Sequence, residues 1–317
     1  MLVAVTFAIA CVVSLIVTPV VRGIAHRYGL LDQPEERKIH EIPVPRLGGV
    51  GMVVAFAIAV GIAILFSPTL GSIGGLRPNH ALAILAGVAV LFAIGVADDV
   101  RGLRASVKLV LQIAAAVLAW SLGLSVEELH VPGGTVELGA LSLPVTVIWI
   151  VGVINAINLI DGLDGLAAGV SLTVLGAFGL IAAADRMDPT LPIIAATVGA
   201  AVGFLAYNLY PASIMMGDTG AMFLGFVVAS IGISLTQDGI LPRAPWVPIV
   251  ALGLPLADMV WAVIRRWAQG EPFFVADRGH IHHQLLRLGL NQRDAMLLLT
   301  AVSAALGLLA VLFGRLR

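Results

Sequence analysis

The chain has 317 residues, of which 59% are hydrophobic and only 12% charged, and its mean hydropathy is +1.03. That balance excludes an ordinary soluble domain. The formal net charge of −1 singles out no class of partner, and one cysteine, Cys11, excludes an internal disulfide or a thiolate metal site.

Ten apolar stretches are long enough to cross a hydrocarbon core of roughly 30 Å, at about 17–25 residues each. They fall near 2–22, 48–66, 81–97, 106–122, 142–158, 165–184, 191–208, 219–235, 246–266 and 295–314. No water is present at that depth, so each must satisfy its backbone internally and is expected to be helical. The expected fold is an all-α integral membrane protein, one polytopic domain over 1–317 with about ten transmembrane helices. The first stretch lacks a basic n-region and a small-residue cleavage site, and basic residues follow it, so it reads as an anchor rather than a cleaved leader.

The loop 27–46 comes next, kept from continuing as helix by Pro34, Pro43 and Pro45. It carries Arg37-Lys38-Ile39-His40 and runs into Pro45-Arg46-Leu47-Gly48-Gly49. The third stretch ends on Asp98-Asp99, at the head of a second loop, 98–106. A carboxylate costs about 2.5–3.5 kcal/mol at mid-bilayer and far less near the interface, so a solvated helix end accounts for such a pair taken alone. Adjacent carboxylates nevertheless repel, and a divalent cation or a proton to be carried relieves that cost. Ser106 is the expected N-cap of the fourth helix. Lys108 in its first turn would offer charge to a phosphate, with Gln112 one turn further along the same face.

Residues 125–140 alternate around Pro132-Gly133-Gly134, which predicts a small external β-hairpin. Asn155, Asn158, Asp161 and Asp164 then recur every three residues. Gly162 and Gly165 should break the helix, leaving the two Asp on a short connection (158–165) and the two Asn pointing into the bundle. Turn chemistry explains the Asp-Gly pairs but not the Asn pair. The segment 208–218, from Asn208 to Asp218, opens the eighth helix with Gly217-Asp218-Thr219-Gly220. Glycines allow close backbone approach to a ligand, and a helix N-terminus favours an anion. Asp218 would hold the metal that accompanies a polyphosphate, or would simply cap its own helix. Mg²⁺ commonly takes one or two carboxylates plus substrate phosphates.

Asp258 lies inside the ninth stretch, where a carboxylate is functional or paired, with Arg265 two turns on or a packed polar contact as the two candidate partners. The last large loop, 268–294, holds Asp277, Arg278, His280, His282 and His283. Its His spacing, without Cys, argues against structural zinc. Phosphate or sugar recognition and a solvated His cluster both remain open.

With the N-terminus outside, 13 of the 18 Lys and Arg fall on cytoplasmic segments, leaving Arg77, Arg186, Arg243, Arg315 and Arg317 outside. All five polar clusters then share the cytoplasmic face.

Taken together, Arg37–His40 with Pro45–Gly49, Gly95–Asp99, Asn158–Gly165, Asn208–Thr219 and His280–His283 resemble the polyprenyl-phosphate N-acetylhexosamine-1-phosphate transferases, glycosyltransferase family 4. The resemblance runs from Lys38 to about Leu288. Any one motif is weak; five in order on one face are specific. Asp277-Arg278 before His-Ile-His-His is similar to the branch using UDP-GlcNAc, whereas the lipid-I branch, using UDP-MurNAc-pentapeptide, has three consecutive histidines. Met215 departs from the family, where a Phe that would stack on uracil is common.

The resemblance implies transfer of GlcNAc-1-phosphate from UDP-GlcNAc to undecaprenyl phosphate at the plasma membrane, with cytoplasmic active-site loops. It implies Mg²⁺, or Mn²⁺, on Asp218, and Asp98 deprotonating or orienting the lipid phosphate with support from Asp99 and Lys108. Substrate binding would fall to Lys38, His40, Asn158, Asp161, Asp164, Asn208, Arg278, His280, His282 and His283. A homodimer is expected, and no nucleic acid. A two-step route through an Asp nucleophile stays open, as does lipid-I synthesis. A secondary transporter would instead place its binding groups near the bilayer midplane within an internal repeat, and a purely structural scaffold would need no charged rim.

Overall fold

The computed structural model describes residues 1–32, 43–66, 78–131, 134–184, 190–237, 241, 244–270 and 279–315. Its long helices are α1 (Leu2–Tyr28), α2 (Gly48–Phe66), α3 (Pro78–Arg101), α4 (Ala105–Ser121), α5 (Ser142–Ile160), α6 (Leu166–Ala182), α7 (Thr190–Asn208) and α8 (Gly217–Gln237). They are followed by α9 (Val247–Ala251), α10 (Gly253–Gln269), α11 (Ile281–Arg287) and α12 (Gln292–Arg315). Seven of these, α1, α2, α3, α5, α7, α8 and α12, are long and apolar enough to cross a membrane, counted among the described residues. The protein is a multi-pass membrane protein.

Every one of the ten apolar stretches contains helix, but three fall short of a span on their own. α4 and α6 have 17 residues each, about 25 Å at 1.5 Å per residue. The ninth stretch is broken at Leu252, between α9 and α10. Pro255 is the local cause, since it has no N–H to offer the carbonyl four residues back. Ser106 is not a cap: α4 begins at Ala105 after Arg104, and no side chain caps it.

α8 is the axis of the bundle. Its residues from Thr219 to Leu235 are all buried, and α2, α3, α5, α6 and α7 pack around it. A helix apolar on every side has to be central. Gly225 brings α8 against α5, where a Cβ would lie 2.6 Å from Ile154 Cα. Phe226 fills the space over Gly87 of α3, and Phe223 meets Phe56 of α2 edge to face at 5.2 Å. Outward-facing Val12, Ile16, Val20, Leu308 and Leu312 are exposed, as suits helices bounded by lipid.

The hairpin forms as expected. Strands Glu128–Val131 and Gly134–Glu137 pair antiparallel, Glu128 opposite Glu137 and Val131 opposite Gly134; Pro132 and Gly133 lie outside the described residues. Gln237, the last residue of α8, accepts from the Glu127 and Glu128 amides (2.9 and 3.3 Å) and donates to Glu128 O (3.1 Å). One end of α8 therefore anchors the hairpin, and the other carries Asp218. A second ladder was not foreseen: Leu31–Asp32 pairs with Val44–Pro45. Two-residue strands leave no periodic pattern, and Pro is admitted at a sheet edge.

Candidate active site

Four elements deliver one polar side chain each to a single point. Asp98, in the last turn of α3, accepts from Leu103 N at 2.6 Å and from Lys108 Nζ of α4 at 2.9 Å. The same ammonium reaches Asp218 Oδ1 of α8 at 3.2 Å. Asn158 of α5 donates to that oxygen from Nδ2 at 2.8 Å. Lys108 is 24% exposed, Asp218 16% and Asp98 3%, so the point opens to solvent on the Lys108 side. Gln112 and Asn155 stand behind it, joined at 2.8 Å. The two Asn do face into the bundle, but only Asn158 reaches the site.

Asp99 has a different task. Its carboxylate accepts from Asp218 N (2.8 Å), Thr219 N (3.1 Å) and Thr219 Oγ1 (2.5 Å). It therefore satisfies the open amides at the start of α8 and sits at the positive end of that helix. The anion expected at this N-terminus is supplied by the protein, and Asp218 does not cap its own helix. Gly217, at φ +72°, is required here, because a Cβ would lie 2.7 Å from both Asp99 oxygens.

The connection between α5 and α6 carries Asp161 and Asp164, as the glycine spacing predicts. Gly165 holds φ 75° at the start of α6. Asp164 is buried and accepts from Ala212 N at 2.9 Å. Asn208, also buried, accepts from Gly165 N (3.1 Å) and donates to Ile214 O (2.9 Å). These two brace the 161–165 and 208–215 loops against each other and spend these bonds on backbone. Asp161 is pushed up to about 8 by burial first, then by the charges of Asp218, Asp99, Asp164 and Asp32.

Asp258 pairs with His280, not with Arg265. Its Oδ2 lies 2.9 Å from His280 Nδ1, and its Oδ1 accepts from Ile281 N at 2.9 Å. Arg265 donates instead to Gly279 O at 2.9 Å, which Gln284 also reaches at 2.6 Å. Together they fix the start of α11. His282 is 1% exposed, stacks parallel on His280 at 5.9 Å and leans on His283 at 4.3 Å. Among the described residues, neither of its ring nitrogens has a hydrogen-bond partner. Burial, then the His283 and His280 charges, push it down to about 3, so the ring is neutral. Its imidazole occupies the space a Cβ at Gly162 would need, which joins the histidine segment to the Asp161–Asp164 loop. Lys38, His40, Asp277 and Arg278 lie outside the described residues.

Sequence reasoning missed Arg46. Its guanidinium lies 3.9 Å from Asp99 Oδ1 and 3.7 Å from Asp32 Oδ1. The signal was present in Pro45–Gly49, but spacing alone could not say which cluster that segment joins. Around this point the described carboxylates Asp98, Asp99, Asp161, Asp164 and Asp218 outnumber the cations seen against them, Lys108 and Arg46. Hard oxygen donors in excess of positive charge fit a divalent cation. Among the described residues, no three His, Cys, Asp or Glu side chains gather as a metal cage. An ion would therefore rest on one or two carboxylates, with Asp218 the best placed, and on water or substrate oxygens.

Residues 81–236 match Glycosyl transferase family 4, a span that includes Asp98, Lys108, Asn158 and Asp218. A "Probable undecaprenyl-phosphate N-acetylglucosaminyl 1-phosphate transferase" of Bacillus subtilis (strain 168) is 34% identical over 98% of this chain and 84% of its own length. The "Decaprenyl-phosphate N-acetylglucosaminephosphotransferase" of Mycobacterium tuberculosis (strain ATCC 25618 / H37Rv) is 32% identical over 92% and 77%. The "Undecaprenyl-phosphate alpha-N-acetylglucosaminyl 1-phosphate transferase" of Escherichia coli (strain K12) is 30% identical over 92% and 78%. With that identity running nearly end to end, the chain belongs to glycosyl transferase family 4.

Proposed function

We propose that the protein transfers GlcNAc-1-phosphate from UDP-GlcNAc to undecaprenyl phosphate, giving undecaprenyl-diphospho-GlcNAc and UMP. The observation that carries this is the Lys108 ammonium held between Asp98 and Asp218, at one end of an otherwise apolar bundle. A hydrocarbon tail can lie along such a bundle while its phosphate sits at the rim. The names of the Bacillus and Escherichia relatives describe the same transfer.

In the reaction, an oxygen of the lipid phosphate bonds to the β-phosphorus of the donor. The bond from that phosphorus to the bridging oxygen breaks, and UMP leaves with the electron pair. Asp98 takes the proton of the lipid phosphate or orients it. Lys108 binds a phosphate oxygen, and Asn158 keeps the Asp218 carboxylate turned toward the site. Mg²⁺, or Mn²⁺, on Asp218 would offset charge as it moves onto the leaving group. Asp161, Asp164 and Asn208 shape the nucleotide pocket. His280, His282 and His283 are assigned to the sugar phosphate, together with Arg278, Lys38 and His40, which lie outside the described residues. Incubation of purified protein with radiolabelled UDP-GlcNAc, Mg²⁺ and undecaprenyl phosphate, followed by lipid extraction, tests the assignment. Label absent from the lipid phase refutes it.

This reading places the rim on the cytoplasmic side of the plasma membrane. Replacing Cys11, the one cysteine, leaves a clean background for labelling. Cysteines placed at Arg101 and Gln284 should be protected from an impermeant thiol reagent in intact cells, and one at Glu137 should react. Labelling at Gln284 contradicts the orientation.

The donor assignment is tested by competition. α11 is drawn onto the Asp161–Asp164 loop through His282 and Gly162, which favours a compact sugar. UDP-GlcNAc should outcompete UDP-MurNAc-pentapeptide in a mixed assay. Preference for the pentapeptide donor would move the chain to the lipid-I branch of the family.

A further inference from the structure

Pro45-Arg46-Leu47-Gly48-Gly49 is mounted on the loop that carries Asp218. Met215 N donates to Pro45 O at 2.7 Å, Gly48 N to Met215 O at 3.0 Å, and Gly49 N to Met216 O at 2.8 Å. Leu47 and Val44 are buried on either side. Gly49 lies so close to Gly220 that a Cβ would strike the backbone of α8. The backbone of Arg46 is thereby fixed relative to Asp218, across about 170 residues of sequence.

The side chain is held differently. The guanidinium stands at 3.7 Å from Asp32 and 3.9 Å from Asp99. Charge-assisted N–H···O bonds are about 2.7–2.9 Å long. Arg46 is therefore attracted by two carboxylates and hydrogen-bonded to neither, and its side chain is 32% exposed. Asp99 already has three short donors from α8, so it does not depend on Arg46 for its hydrogen bonds. A planar fork of donors that makes no short bond to either carboxylate beside it matches two oxygens of one phosphate.

We propose that Arg46 is a phosphate-binding residue of this site, its guanidinium leaving the Asp32–Asp99 pair to take the oxygens of an incoming phosphate. This rests on the transferase reading above. Two phosphates meet at the rim, the donor diphosphate and the lipid monophosphate, and they present the same chemistry to Arg46.

The test is steady-state kinetics of the full-length protein in detergent, wild type against Arg46→Gln, Arg46→Lys and Asp32→Asn, varying each substrate at saturation of the other. Arg46→Gln should raise one KM about tenfold or more, the cost of a lost charged hydrogen bond. A rise in the KM for UDP-GlcNAc supports contact with the donor diphosphate, and a rise for undecaprenyl phosphate supports contact with the lipid phosphate. Arg46→Lys should recover part of the loss, and Asp32→Asn should leave both KM values at or below wild type. Unchanged KM values in Arg46→Gln overturn the proposal. So does an equal rise in Asp32→Asn, or a loss of kcat that tracks a fall in melting temperature with no KM shift. Wild-type protein that transfers nothing overturns the transferase reading itself.

Discussion

Asp218→Asn should reduce transfer by about a hundredfold or more, close to 3 kcal/mol of barrier, without unfolding the protein. The substitution keeps the size of the side chain. The backbone amide of residue 218 still bonds to Asp99, so the start of α8 stays satisfied. What disappears is the negative charge on which Lys108 and Asn158 converge and on which a divalent cation would rest. Initial rates, a melting curve and titration with EDTA followed by Mg²⁺ make the measurement. A melting temperature near wild type with lost turnover supports the role. Wild-type turnover in the variant, or wild-type protein indifferent to EDTA, refutes it.

Asp98→Asn should cost a comparable factor, about a hundredfold, for a different reason. An amide can still accept from Leu103 N, so the turn after α3 survives. It cannot take a proton from the lipid phosphate, and it leaves Lys108 drawn toward Asp218 alone. The two variants separate in their metal response: Asp98→Asn should retain the wild-type Mg²⁺ dependence of its residual rate, and Asp218→Asn should lose it. Matching metal titrations, or wild-type turnover in Asp98→Asn, contradict the division of roles.

The sequence made the apolar segments and the hairpin legible, because both are local patterns with a fixed period. It also made legible which clusters are polar against their background, and Asp161 and Asp164 stand on a short connection where the glycines put them. Partners in space were not legible. The bond from Asp218 N to Asp99 spans 119 residues of sequence, and nothing local to either residue reveals it, so a substrate anion was expected where a carboxylate already sits. Helical spacing offers Asp258 either Arg265 or a packed polar contact, and the structure pairs it with His280 on a different segment. The break at Leu252 was readable in principle from Pro255, but continuous hydrophobicity across it masked the signal. Met215 shows the reverse case: the resemblance drew attention to its side chain, while it is its backbone that bonds to Pro45 and Gly48.

Because α8 is enclosed on all sides and tied at both ends, by Asp99 at one and by the Glu127–Glu128 backbone at the other, Asp218 has little freedom left to lose. A ligand that meets such a residue spends little free energy on ordering it. The entropy of assembling the complex then falls on parts held by side chains alone: the Arg46 guanidinium, the Lys108 ammonium, and the start of α11 under Asp258, Arg265 and Gln284. Differences in affinity among relatives should therefore arise in those peripheral groups, while the carboxylate on the axis behaves as a nearly constant contribution.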